Sequence, residues 1–200
     1  MKRWIGCSVV TLSVTTGAVV VGAWSVLSYH VLVREQIEVE ARWSRIENVY
    51  HRRWSLARRL ADTARAAARD PAPVDSLAET CDRAAGIILS PEILNDRARL
   101  DELLRLEASQ RTFIAGTLES VRSRDAGSFR ALDQDLKATE EDLAAASERF
   151  NESVRGYNRL IGRFPMSLFA RLYGFRVKPS IDTSSAPPTI DDDPAGIDDN

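Results

Sequence analysis

The chain has little to do chemistry with. Its only histidines are His30 and His51, and its only cysteines are Cys7 and Cys81. No pair of these has a metal-ligand spacing. Cys7 sits in an apolar run and Cys81 in a helical stretch, which argues against an intrachain disulfide and leaves the redox compartment unread. There is no glycine-rich phosphate loop and no nucleophile with a base beside it. Glu140, Glu141 and Asp142 form a carboxylate run, but on a charged helix most of it faces water. The expectation is therefore no catalytic, cofactor-binding or metal-binding residue, and no enzyme. Strand candidates are lacking as well, which excludes the sheet-based folds.

Charge is missing from one long stretch. After Lys2 and Arg3 no charged residue occurs until Arg34. Trp4 to Val33 is thus an uncharged run longer than the roughly 20 residues a bilayer core needs. Trp4, Trp24 and Tyr29 sit where interfacial aromatics lie. A cleaved signal peptide, with Val21-Gly22-Ala23 as its small-residue site, competes with an uncleaved anchor. The length favours the anchor, because secretory apolar regions run about 7–15 residues. Lys2 and Arg3 point to a cytoplasmic amino terminus, whereas Arg34, Arg42, Arg45, Arg52 and Arg53 crowd the other flank. Basic charge is missing from the other end. Asp182, Asp191, Asp192, Asp193, Asp198 and Asp199 follow Lys178 with no Lys or Arg among them. The formal charge is −2, so without those six acids the remainder stands at +4. That is too mild for a nucleic-acid footprint.

What is present is helix. One heptad position reads Phe129, Leu136, Leu143, Phe150, Tyr157, Phe164, and the other reads Leu132, Thr139, Ala146, Ser153, Leu160. This 3-4 spacing predicts one long helix from Phe129 to Phe164 with a single buried stripe of the coiled-coil kind. Leu32, Val39, Trp43, Ile46, Tyr50, Ala57, Leu60, Ala64 and Ala67 predict a helix that leaves the bilayer and continues to about Arg69. Pro71 and Pro73 break the chain, and a helix from Val74 to about Leu89 follows. Ser90-Pro91 reads as a cap and first turn for a helix to about Arg124. Asp125 to Ser128 reads as a turn, with Ser128 as N-cap. Pro165 ends the long helix, and Ser167 to Tyr173 adds one or two turns closed by Gly174. The expected fold is all-α. It is an elongated antiparallel helical bundle of three long helices plus shorter ones, behind an amino-terminal transmembrane helix. The divisions are 1–33 for the anchor, 34–176 for the bundle and 177–200 for an acidic disordered tail.

Two blocks of residues carry a resemblance. Phe150-Asn151, Val154, Tyr157-Asn158, Leu160-Ile161, Phe164-Pro165, Ala170 and Gly174-Phe175 resemble the carboxy-terminal signature of the LemA family. Tyr29, Leu32-Val33, Val39, Trp43-Ser44, Ile46, Arg52-Arg53, Leu56 and Leu60 resemble its amino-terminal segment. The chain departs from the pattern at Ser55, Arg58, Arg59 and Ser147. The resemblance implies a membrane-anchored helical bundle with its short amino terminus outside and its domain in the cytoplasm. Some relatives shape bacterial organelle membranes such as magnetosomes.

Three residues stand out as candidate sites. Arg53 falls on the seam of the first helix, where it either snorkels or pairs with a carboxylate of a facing helix, or binds an effector. Asn151 and Asn158 are seven residues apart, each directly after a seam aromatic, so they share one face. Their amides either bond across the bundle and fix register, or form a polar docking stripe for a partner or a second copy. The leading functional reading is a non-enzymatic partner-binding scaffold at the bacterial inner membrane. Its partners are the lipid bilayer, a protein not named by the sequence, and a second copy of the chain. The alternatives are a self-assembling membrane-remodelling scaffold and, third, an enzyme or metal protein.

Overall fold

A computed structural model describes the backbone of residues 2–68, 70–121, 127–181 and 190–191, and the side chains of residues 15–68, 70–121 and 127–181. The fold is all-α. Helix α1 (Lys2–Ala64) is a single rod, followed by α2 (Ala72–Ala85), a short 3-10 turn (Pro91–Asn95), α3 (Arg97–Val121), α4 (Ser128–Gly162) and α5 (Met166–Tyr173). Two residue pairs, Ser180–Ile181 (β1) and Ile190–Asp191 (β2), form an antiparallel bridge. At about 1.5 Å per residue, α1 is roughly 95 Å long.

The bundle runs up, down, up, down. Trp43 packs edge-to-face on Phe150, and ten residues further up α1 Arg53 meets Glu140. Helices α1 and α4 are therefore antiparallel. Arg53 also meets Glu107 in α3, and α1 and α3 run in the same direction. The short α2 supplies the return leg between them, tied to α1 by the Arg58–Asp82 ion pair. The core falls into two clusters. The one nearer the anchor holds Trp43, Tyr50, Leu100, Leu103, Phe150 and Tyr157. The far one holds Leu60, Leu77, Ile114, Phe129 and Leu132.

Several expected boundaries move. Helix α1 stops at Ala64, where Ala67 and Ala68 donate back to the Ala64 carbonyl at 2.9 and 2.8 Å; the expected end at Arg69 lies outside the described residues. Helix α2 starts two residues before Val74, where the Asp70 carboxylate accepts from the Ala72 N–H at 3.0 Å. It ends at Ala85 rather than Leu89. Pro91 opens a 3-10 turn, not the long helix, because that tight turn buries both Ile93 and Leu94. The break at Asp96 restarts the chain, and its carboxylate accepts from the Arg99 N–H at 3.2 Å. Asp96, rather than Ser90, therefore caps the start of α3. Gly127 occupies the cap position of α4 and Ser128 is its first helical residue. Asp125 and Ala126 of the expected turn lie outside the described residues.

The stripe of α4 also drifts. The buried positions run Phe129, Leu132, Leu136, Thr139, Leu143, then Ser147, Phe150, Val154, Tyr157, Ile161. Two consecutive steps of four replace the strict heptad at Leu143. A straight α-helix has 3.6 residues per turn, so a 3.5-residue pattern slides off the buried face by about 20° per heptad. Ser147, outside the seam by heptad numbering, is consequently buried, and Ala146, Ser153 and Leu160 sit at its edge. Phe164 falls beyond the end of α4 and is 85% exposed. Gly174 closes α5 at φ 77°, and the Phe175 N–H reaches the Ala170 carbonyl at 2.9 Å, as a left-handed glycine cap requires.

Candidate functional site

The two core clusters are separated by a charged layer. Helix α3 explains how the charge gets there. Its buried positions Leu100, Leu103, Glu107, Gln110, Ile114, Thr117 and Val121 keep strict 3-4 spacing, so Glu107 lies on the stripe itself. Helix α1 presents Arg53 at the same height, between Tyr50 and Ala57 of its own stripe. Both are 1% exposed. Arg53 Nε lies 2.9 Å from Glu107 Oε1, and its guanidinium donates to Glu140 Oε1 of α4 at 3.1 Å. Arg111 closes the ring at 4.0 Å from Glu107 and 3.9 Å from Glu140.

Arg53 therefore pairs with carboxylates of two facing helices and is buried among them. The electrostatics of the layer are unbalanced. Burial pushes the Glu107 carboxyl above its ordinary value; Arg53 and Arg111 pull it back and Glu140 adds to the rise. Both Glu107 oxygens are buried and lack a well-aligned hydrogen bond among the described residues. Burial, then the Glu107 charge, also drives the Tyr50 phenol up, with Arg53 and Arg111 opposing. The layer ties three helices together at one height, and removing one partner would strand a buried charge. Glu140 and Asp142 of the carboxylate run are exposed on their outer faces and serve as ion-pair partners, Asp142 to Arg52 at 3.4 Å.

The asparagines do something else. Asn151 donates to the Ile181 carbonyl at 2.6 Å and accepts from the Ile181 N–H at 2.9 Å. Asn158 donates to the Lys178 carbonyl at 2.8 Å and accepts from the Lys178 N–H at 3.0 Å. Each amide thus matches the donor and acceptor of one backbone residue, as a neighbouring strand does. The spacing fits. Seven helical residues span about 10.5 Å at 1.5 Å each, and three extended residues span about 10 Å at 3.3 Å each. The chain's own segment occupies these amides, not a cross-bundle partner. The tail boundary at 176 accordingly falls short. Lys178 is 6% and Ile181 1% exposed, and Ile181 belongs to the core. Of the acidic tail, residues 182–189 and 192–200 lie outside the described residues.

Lys178 carries this segment, a strap of residues 178–181, across the bundle. Its ammonium donates to Asn95 Oδ1 at 2.6 Å, on the 3-10 turn. Burial lowers its pKa, and Glu40 and Glu92 oppose that shift. Trp43 anchors the same connection, its indole donating to the Leu89 carbonyl at 2.6 Å. Sequence reasoning missed Glu107, Lys178, Ile181 and Ser147. Glu107 had a signal, a charge on an unbroken 3-4 stripe. Lys178 and Ile181 had none, since a Pro/Ser/Thr/Asp-rich context reads as unstructured. A shallow polar groove between α1 and α4, lined by Glu35, Glu38, Arg42, Arg149 and Glu152, adds no convergent chemistry.

At its amino-terminal end α1 is long and apolar enough to cross a membrane. There Val19, Val20, Val21, Val26 and Leu27 are not covered by protein. A family model described as the LemA family matches residues 42–191, from just above the span through the strap. Comparison with curated proteins and with solved structures finds no match.

Proposed function

The chain belongs to the LemA family, and on that premise we propose that it is a single-pass, non-enzymatic scaffold that holds a protein partner close to a bacterial inner membrane, with its bundle on the cytoplasmic side. One observation carries the reading: α1 passes without a break from the apolar span into the bundle core. A rod shared by anchor and core fixes the orientation of the whole domain relative to the bilayer, as a positioning device needs. Arg53 is out of a partner's reach, and Asn151 and Asn158 are filled by the strap. A partner is therefore met by the exposed faces of the bundle.

The self-assembling alternative needs an exposed apolar stripe along the rod. Among the described residues of the bundle the large exposed apolar side chains gather at its anchor end, apart from the isolated Ile37 and Ile88. That distribution favours the anchored scaffold. The test is crosslinking and pull-down from native membranes, combined with carbonate washing, intact mass and protease accessibility. A full-mass protein resisting carbonate, with a recurrent crosslinked protein and a cytoplasmic bundle, supports the reading. A species beginning near Trp24, or ordered coats on liposomes by electron microscopy, overturns it.

A further inference from the structure

Helix α5 is short, yet it sits at the point where α1 changes from rod to span. Phe169 packs on Trp24 with ring centroids 6.3 Å apart, and Tyr173 packs on Tyr29 at 5.1 Å. Tyr173 also shares a hydroxyl hydrogen bond with Ser25. The contacts advance in the same direction on both helices, so the start of α5 points toward the apolar span. With Phe169 and Ala170 turned inward, a second face is left without protein cover. Leu168 and Leu172, four apart on α5, are 61% and 71% exposed, and Phe164, at the corner before the helix, is 85% exposed. Large apolar side chains left in water are unfavourable in proportion to the area that stays uncovered.

Along the chain the charge on either side of these residues has one sign. Between Glu152 and Asp182 there is no acidic residue, while Arg155, Arg159, Arg163, Arg171, Arg176 and Lys178 lie in that interval. Arg159, Arg163, Arg171 and Arg176 are exposed. On the α1 side the charge-free run leads straight into the span. Exposed apolar side chains flanked in sequence only by basic residues, next to a transmembrane rod, have the composition of an interfacial helix on an anionic membrane.

We propose that α5 with the Phe164–Pro165 corner is a foot that seats the bundle on the bilayer, with Phe164, Leu168 and Leu172 entering the headgroup boundary of an anionic leaflet. The inference rests on the spanning reading of α1. It also places the hydrocarbon boundary. Ser28 and Leu32 are fully buried inside the protein while Val26 and Leu27 are exposed, so one face of the stretch after Trp24 belongs to the domain. Trp4 to Ala23 is twenty residues, the length that crosses a bilayer core. Trp24 then stands at the interface. The helix thus leaves lipid about ten residues earlier than the first charge at Arg34 suggests.

The test is site-directed spin labelling of the full chain, in a Cys7→Ser, Cys81→Ala background, reconstituted into vesicles with and without anionic lipid. Labels go at Leu168, Leu172, Val19 (the span) and Arg130 (the far end of the bundle). The expected result is that Leu168 and Leu172 favour collision with oxygen over a water-soluble nickel complex, with Leu168 deeper. Anionic lipid should deepen both; Arg130 should show the opposite preference. Leu168 behaving like Arg130 while Val19 remains lipid-buried overturns the foot alone. Val19 in water overturns the spanning reading itself. Spin–spin broadening between Leu168 labels of different copies assigns these side chains to a second copy and also overturns the foot.

Discussion

If Asn151 and Asn158 act on the strap, their energetic effect must disappear once the strap is gone. Each asparagine makes two hydrogen bonds to one backbone residue. At about 0.5–1.5 kcal/mol net per bond, each is worth about 1–3 kcal/mol. Burying Ile181 adds about 1.5–3 kcal/mol. Against this, ordering the four residues 178–181 costs about 4–8 kcal/mol of backbone entropy. The net docking free energy is therefore a few kcal/mol at most, smaller than the bonds that produce it. Loss of either asparagine should release most of the strap, and nothing further remains for the second to lose. Asn151→Ala and Asn158→Ala should each lower stability by about 1–2 kcal/mol, and the double variant should match a chain ending at Val177. For a domain of this size that is several degrees, at about 2–4 °C per kcal/mol. Removal of the tail thus lowers the melting temperature, whereas the sequence alone points to a neutral truncation. In the chain ending at Val177 either substitution should cost under about 0.5 kcal/mol. The assay is thermal and urea unfolding of full-length protein in detergent, followed by far-ultraviolet circular dichroism. Equal losses in full-length and truncated backgrounds would refute the argument and return the asparagines to cross-bundle bonding.

Phe150→Ala, at a fully buried position against Trp43, should cost about 3–5 kcal/mol by urea unfolding; a folded, unaffected variant contradicts the packing described. Ser147 is buried and its hydroxyl has no hydrogen-bond partner among the described residues, so Ser147→Ala should be neutral or slightly stabilising, and a loss above about 1 kcal/mol would reveal a bond to that hydroxyl. Arg53→Ala should cost about 3–5 kcal/mol by stranding Glu107, whereas Arg53→Met with Glu107→Leu should recover most of it. The raised Glu107 carboxyl has a definite pH consequence: the native state keeps its proton where the unfolded chain has lost it. Stability contributed by Glu107 therefore declines as pH climbs from the ordinary carboxyl value through the raised folded one. Glu107→Gln should abolish that decline, and parallel urea midpoints across pH for the two proteins would show that the carboxyl is not perturbed. Cys81, whose thiol burial pushes up to about 11, should resist alkylation until the bundle is unfolded; rapid labelling of native protein would place it at the surface.

The helical class, the apolar span and the positions of Trp43, Phe150 and Tyr157 were legible because periodicity is a local property. A row of large apolar side chains every three or four residues has one favourable arrangement, a helix with that face covered. Arg53 was legible as an oddity for the same reason, and Glu107 had an equally clear signature on α3. Periodicity does not say where a helix drifts off its partner, and the switch at Leu143 came from the mismatch between 3.5 and 3.6 residues per turn. It also does not say which charges meet. Arg53, Glu107 and Glu140 are brought together by three helices, at a height set by how α2 returns the chain. The strap lies furthest from sequence reasoning. Lys178 and Ile181 have no local pattern, and their order comes from two asparagine amides about 10 Å apart on α4. Backbone groups in an irregular segment are held by whatever surface offers matching donors and acceptors, and only the tertiary structure creates that surface.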